Sequence, residues 1–167
     1  MRRALLLVTA VAALLLTAGP AFGRVSLPSV FARQIHAIHS ATHPPAVLLP
    51  GSMPLDAKRL FPAGGISRGG YDLSLGAVRN CGEANACFVA QFTAVRGGKV
   101  FGHRITVRGA SRAGFVPLSC GASCAPPQID FIWHGVRYTI QANLKTKQTD
   151  RAALIAAAQS AISAGPR

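Results

Sequence analysis

The feature that most constrains the fold of this chain is an alternation of apolar and polar residues between residues 71 and 142. Apolar side chains occupy every second position in five segments, which are 71–75, 88–94, 104–108, 129–134 and 136–142. Because successive side chains of a strand point to opposite faces, this period predicts half-buried antiparallel strands. His134-Gly135 predicts a tight hairpin turn between the last two strands, and Gly97-Gly98 predicts a turn after residue 96.

The part of the chain before these strands has a different pattern. Apolar residues recur at helical spacing within residues 29–40, which predicts a helix that ends before Pro44-Pro45. The short apolar run 46–50 predicts a strand. The stretch from 51 to about 70 is rich in Pro, Gly and Ser and has little periodicity, so we predict that it wraps the domain as a loop.

The chain ends in a second predicted helix. Thr149 or Asp150 is its N-cap, and Gly165-Pro166 ends it. Its predicted buried stripe consists of Leu154, Ile155, Ala158 and Ile162. An amphipathic helix can cover the apolar face of a sheet, so the predicted fold class is α+β. We expect an antiparallel β-meander with an N-terminal helix and a C-terminal helix packed on one face.

Residues 1–23 have the pattern of a secretory signal peptide. Arg2 and Arg3 precede the uncharged apolar stretch 4–16, and small residues stand at Ala21 and Gly23. The apolar stretch is too short for a comfortable bilayer span, although an uncleaved N-terminal anchor is the alternative. We predict a secreted or periplasmic protein, with the signal at 1–23, an N-terminal helical segment at 24–45 and a single domain at 46–167. No later segment is long and apolar enough to cross a membrane.

The chain has four cysteines, spaced as C-x5-C and C-x3-C. An even count in an exported protein predicts two disulfides. Of the three possible connectivities, we favour the local pairs Cys81–Cys87 and Cys120–Cys124, because a turn-rich segment lies within each pair. The alternative is a zinc site with four thiolate ligands, which is more typical of a reducing compartment.

Basic residues greatly outnumber acidic ones. The sequence has 18 Lys+Arg against 5 Asp+Glu, a formal net charge of +13, and only two of these basic residues lie in the predicted signal. No acidic residue lies between Glu83 and Asp130. The predicted binding residues in this stretch are Arg96, Lys99, Arg104, Arg108 and Arg112, with Arg104 and Arg108 on one outward strand face.

This basic excess favours an anionic partner, either an anionic lipid surface or an envelope polymer. Nucleic acid is disfavoured, because the basic stretch lacks the regular aromatic residues of a stacking platform and because the protein is predicted to be exported. Binding to anionic vesicles or wall fragments should then weaken steeply as salt is raised.

Two further constellations could carry chemistry. The spacing of His36, His39 and His43 would place three imidazoles on one helix face as a metal site, but His43 precedes Pro44 and a solvated polar face is the more typical outcome. Asp130 and His134 could form a hydrolase site with Ser119 or Ser123, although nothing in their spacing requires it. We predict no cofactor, because no recognised cofactor or catalytic motif is present.

The order of elements from 46 to 162 is similar to that of a known group of proteins. Val47-Leu48-Leu49-Pro50, Gly70-Tyr71, the Trp133–Tyr138 hairpin and the closing helix at 154–162 occur in that order. This order resembles uncharacterised exported bacterial α+β domains linked to envelope-sensing and anti-sigma-factor proteins. The resemblance implies an envelope location and a non-catalytic role.

The function predicted from the sequence is that of an exported non-enzymatic protein that associates with anionic envelope components, lipid head groups or wall polymers, through its basic surface. The first alternative is an apolar-ligand or protein-binding sensor module of the envelope. The second is a secreted hydrolase built around Asp130 and His134.

Overall fold

The computed structural model describes residues 25–81, 85–145 and 148–167. The predicted signal peptide therefore lies outside the described residues. None of the helices in the described part of the chain is long and apolar enough to cross a membrane.

The described chain forms three α-helices and eleven strands. Its first part contains β1 (Val25–Ser26), α1 (Leu27–Val30), α2 (Ala32–His39), β2 (Ser52–Met53), β3 (Phe61–Ser67) and β4 (Gly70–Gly76). After a 3-10 turn at Asn85–Cys87, its middle part contains β5 (Phe88–Arg96), β6 (His103–Ile105), β7 (Arg112–Val116), β8 (Ser119–Cys120) and β9 (Cys124–Ala125). Its last part contains β10 (Gln128–Trp133), β11 (Val136–Ala142) and α3 (Asp150–Ala164).

Seven of these strands form one antiparallel sheet in the order β3-β4-β5-β11-β10-β7-β6. The predicted α+β class, with a large antiparallel sheet and a helix toward each end of the chain, is confirmed. The strand order is that of two meanders joined at the centre, because β5 pairs with β11. The chain must therefore pass from β5 in the middle of the sheet to β6 at its edge. The β5–β6 connection thereby positions the candidate site.

Four of the five alternating segments form strands as predicted, namely β4, β5, β10 and β11, but other parts of the chain differ from the prediction. β6 ends at Ile105, so Arg108 lies in the turn after the strand and does not share a strand face with Arg104. Residues 61–67, predicted as loop, form the edge strand β3, in which Pro62 and two glycines remove the alternation. β7 was not predicted at all, since its five residues Arg-Ala-Gly-Phe-Val show no clear period.

The core lies on one face of the sheet. Phe31, between α1 and α2, packs edge-to-face on Phe92 of β5 at 5.8 Å between ring centroids. Thr149 caps α3 by accepting a hydrogen bond from the Ala152 N–H, as predicted. The fully buried side of α3 consists of Leu154, Ala157, Ala158 and Ala161, while Ile155 and Ile162 are partly buried.

Both predicted disulfides are confirmed and lie at the same end of the sheet. Cys81–Cys87 joins the ends of the β4–β5 connection, and Cys120–Cys124 closes the small β8–β9 hairpin between β7 and β10. A hydrogen bond from Asn85 Nδ2 to Ser123 Oγ, 3.0 Å long, links the two loops. No free cysteine is present, so the four-thiolate zinc alternative is wrong.

The predicted strand at 46–50 is wrong, and we call these residues the inner segment. They cross the apolar face of the sheet without belonging to any sheet, and Val47, Leu48 and Leu49 are buried. Their backbone bonds instead to two tyrosine hydroxyls from the sheet. The Leu48 N–H donates to Tyr71 at 3.1 Å, and Tyr138 donates to the Ala46 carbonyl at 3.0 Å. These side chains supply the partners that a neighbouring strand would otherwise provide.

Burial of these tyrosines opposes ionisation of their hydroxyls. Desolvation raises the pKa of Tyr138 to about 12, from an ordinary value of 10.0. Desolvation also raises the pKa of Tyr71, against a smaller lowering effect of its backbone hydrogen bond to Leu48. Both hydroxyls therefore stay neutral hydrogen-bonding groups at ordinary pH.

Candidate functional site: a strap and a cationic cavity on the outer face

Residues 97–102 connect β5 to β6 and cross the outer face of the sheet, opposite the core. We call them the strap. On its way to the edge, the strap passes the three strands that separate β5 from β6, namely β11, β10 and β7. Contacts to one residue of each strand fix its course, and they involve Arg137, Asp130 and Gly114.

The first contact is with Arg137 of β11. Its Nη1 donates to the Lys99 carbonyl at 3.1 Å, and its guanidinium lies 5.2 Å from the centroid of the Phe101 ring. A guanidinium on an aromatic face is a favourable cation–π contact. Arg137 therefore holds both the backbone and a side chain of the strap.

The second contact is with Asp130 of β10. Its Oδ2 accepts the Phe101 N–H at 3.0 Å, while Oδ1 accepts from Gln128 Nε2 and from Thr139 Oγ1, each at 2.8 Å. Asp130 is 0% exposed, although the alternation placed it on a solvated strand face. It does lie on the face opposite the core, but the strap covers it there. Three uncharged donors satisfy a carboxylate that burial would otherwise make costly.

The third contact is with Gly114 of β7, which lies directly beneath the strap. A Cβ built on Gly114 would overlap the Phe101 carbonyl oxygen and would lie 2.8 Å from a methyl carbon of Val100. Gly114 also stands between Arg104 and Asp130 in the cross-strand register. The missing side chain therefore leaves the space that the strap occupies.

A half-open cavity of about 500 Å³, which we call the cationic cavity, lies between the strap and the β6–β7 edge. Val100 and Gly102 of the strap line one side, and Arg104 and Arg112 contribute the charge. The remaining lining residues are Ile105, Thr106, Val107, Ala110, Ser111 and Ala113, so none of the acidic residues that the structure describes lines it. The register sets Arg104 opposite Gly114, which makes Arg104 and Arg112 diagonal neighbours with Cα atoms about 7–8 Å apart.

The structure brings together only part of the predicted basic set. Arg104 and Arg112 share the cavity, and Lys99 is exposed on the strap beside it. Arg108 is exposed in the following turn. Arg96 lies at the end of β5, where its Nη2 donates to the carbonyls of His43 and Pro44 at 3.1 and 3.5 Å. Arg96 therefore anchors the N-terminal segment, and β11 and β10 separate its strand from the cavity.

Sequence reasoning missed the roles of Arg137 and Asp130. The alternation did place both on the outward face of their strands, next to each other on β11 and β10. The signal that could have joined them to the basic stretch is the long path between β5 and β6. Only the strand order shows that this path crosses the outer face.

The three histidines do not form a metal site. His36 and His39 are exposed on α2, but His43 lies beyond its end with a left-handed backbone at φ 52°. Among the described residues, no group of three or more His, Cys, Asp or Glu side chains could hold a metal ion. The helix stops before it could align His43 with the other two.

The trio considered for hydrolysis is also dispersed. His134 is exposed in the β10–β11 turn, with its ring against that of Trp133 at 4.0 Å between centroids. The Asp130 carboxylate is engaged beneath the strap, and Ser119 and Ser123 lie in or beside the β8–β9 hairpin at the opposite end of β10.

Comparison with models of protein families, with curated proteins and with solved structures found no match to this chain. The resemblance to envelope-sensing domains therefore stays a prediction from the order of its elements.

Proposed function

We propose that this protein is an exported, non-enzymatic binding protein that captures oxyanion groups of envelope components in its cationic cavity. The ligand chemistry is a phosphate group, presented either by a lipid head group or by a wall polymer. The observation that carries the proposal is the pairing of Arg104 and Arg112 in a cavity that no acidic residue of the described chain lines.

The chemistry of the lining supports this ligand class. Guanidinium groups offer several N–H donors in a planar fork that matches a phosphate or carboxylate. Neither the Arg104 nor the Arg112 guanidinium has a hydrogen bond or ion pair among the described residues, so these side-chain donors are available for a ligand. The Thr106 hydroxyl group adds a neutral donor at the same cavity, whereas the Ser111 hydroxyl donates to the Ile132 carbonyl at 3.4 Å.

The wider molecule is compatible with the proposed setting. The net charge of +13, of which only two charges lie in the predicted signal, would attract an anionic surface over about one Debye length, which is about 8 Å in physiological salt. Two disulfides and no free cysteine fit an oxidising compartment outside the cytoplasm. These features favour an envelope ligand over a cytoplasmic one.

The test measures binding of the purified protein to phosphatidylglycerol vesicles, to phosphatidylcholine vesicles and to a soluble glycerol-phosphate polymer. Binding to the phosphatidylglycerol vesicles or to the polymer should fall steeply between low and physiological salt, with no binding to neutral vesicles. Binding to vesicles alone would identify a lipid source of the phosphate, and binding to the polymer alone a wall source.

The decisive variant is Arg104→Ala combined with Arg112→Ala. Loss of two cations close to an anionic surface should weaken binding about thirtyfold. The matched control, Lys58→Ala with Arg59→Ala, removes the same charge from exposed residues outside the cavity lining, and should change binding less than threefold, about the error of such a comparison. Equal loss in both variants, or none in the first, would refute the cavity as the site.

A further inference from the structure

We infer that Asp130 is a positioning residue for the cationic cavity, and that it acts through the strap. The inference rests on the proposed function and adds to it a residue that does not line the cavity. Asp130 is absent from the cavity lining, yet it accepts the only hydrogen bond that Phe101 N–H makes to the sheet.

Alternate residues of the strap have different roles. Lys99 and Phe101 supply the backbone groups that Arg137 and Asp130 hold. Val100 and Gly102, which follow each of them, line the cavity. Any shift of the Phe101 amide therefore moves both lining residues, because they are its immediate neighbours in the chain.

Other side chains of the sheet hold Asp130 itself in place. Gln128 and Thr139 donate to Oδ1, so only Oδ2 is left to accept the strap. The carboxylate is fully buried, so its hydrogen bonds are shielded from solvent. The aspartate is thus a rigid acceptor that places the strap wall of the cavity.

An asparagine at this position could preserve the acceptor. Its carbonyl oxygen can face the Phe101 N–H, and its amide can face Gln128 and Thr139, which can each present an oxygen after reorientation. An alanine leaves all three donors without their partner. Asp130→Ala and Asp130→Asn therefore separate the acceptor function from other effects of the substitution.

Gly114→Ala tests the same wall from the opposite side. It leaves the Asp130 carboxylate unchanged but pushes against the Phe101 carbonyl and Val100. The control is Asp72→Asn, which changes the other aspartate in the same cross-strand row, where Gln91 donates to it at 2.6 Å. Asp72 lies on β4, on the far side of β5 from the strap.

The experiment measures cleavage by a lysine-specific protease together with binding to phosphatidylglycerol vesicles and to the glycerol-phosphate polymer. The chain has four lysines, Lys58, Lys99, Lys145 and Lys147, and only Lys99 lies in the strap. Asp130→Ala and Gly114→Ala should each accelerate cleavage after Lys99 about tenfold and weaken binding about tenfold. Asp130→Asn and Asp72→Asn should stay within about twofold of the unaltered protein in both measurements.

The outcomes distinguish the positioning role of Asp130 from the proposed phosphate-binding function. Faster cleavage at all four lysines in these variants would indicate general destabilisation and would overturn the positioning role. Faster cleavage after Lys99 with unchanged binding would also overturn it. If Asp130→Ala does not fold, as its melting curve would show, Gly114→Ala decides by the same criteria. If the unaltered protein binds neither phosphate probe, the proposed function fails, and with it the positioning role, even where the protease measurement still shows that Asp130 holds the strap.

Discussion

Two segments cross the strands of this sheet, the inner segment on the apolar face and the strap on the outer face. Both are held by side chains of the sheet that bond to their backbone. The inner segment is covered by the core, whereas Phe101 of the strap is 54% exposed. A segment under the core can only contribute to stability, while a segment on the surface can also form a binding site.

The side chains that hold the two segments differ in polarity, and this difference follows their burial. Neutral tyrosine hydroxyls hold the inner segment, since a charge would be costly within the core. A guanidinium and a carboxylate, those of Arg137 and Asp130, hold the strap. Three predictions test this contrast, and the first has the largest expected effect.

High pH should unfold the protein by ionising the tyrosines that hold the inner segment. Unfolded tyrosines ionise near the ordinary pKa of 10.0, whereas Tyr138 in the native protein ionises at about 12. Its contribution to stability is therefore complete below pH 10 and is lost as the pH rises from 10 to about 12. The chain has two tyrosines, so tyrosinate absorbance should appear only together with cooperative unfolding. Stepwise ionisation of folded protein near pH 10 would contradict this.

Side-chain truncation should cost much more in the inner segment than in the strap. Leu49 is 0% exposed, so Leu49→Ala should lower the free energy of unfolding by about 3 kcal/mol. Val100 is only half-buried, so Val100→Ala should cost about 1 kcal/mol or less. Urea denaturation measures both values. Similar losses would mean that the strap belongs to the same cooperative packing as the core.

Removal of one anchoring group from each segment should give the smallest changes in stability. The two segments should nevertheless differ in local opening, which we expect in the strap. Tyr138→Phe leaves the Ala46 carbonyl without its partner and should cost about 1 kcal/mol. Arg137→Gln should cost no more than about 1 kcal/mol, yet accelerate cleavage by the lysine-specific protease after Lys99. Unchanged cleavage in Arg137→Gln would show that Asp130 alone holds the strap.

Much of the fold could be predicted because it depends on local pattern. The alternation in β4, β5, β10 and β11, the His134-Gly135 turn and the α3 cap are all properties of neighbouring residues. β3 was missed because its pairing with β4, and not its own residues, makes it a strand. Residues 46–50 were misassigned for the opposite reason, since an apolar run is extended in either case and only its partners tell a strand from a crossing segment.

The candidate site could be predicted only in part. The acid-free basic stretch identified Arg104 and Arg112, but it grouped with them Arg96, which anchors the segment around His43. Asp130 was assigned to a solvated face, because the period of a strand tells which face a side chain is on but not what covers that face.

The sequence by itself determined the fold class, the local disulfides, the two helices and the excess of positive charge, since each depends on spacing and composition along the chain. The tertiary structure decided that β5 pairs with β11, and therefore that the strap crosses three strands. That crossing buries Asp130 and forms the wall of the cationic cavity beside Arg104 and Arg112. The physical reason is that strand pairing is a contact between residues far apart in sequence, which local periodicity does not encode.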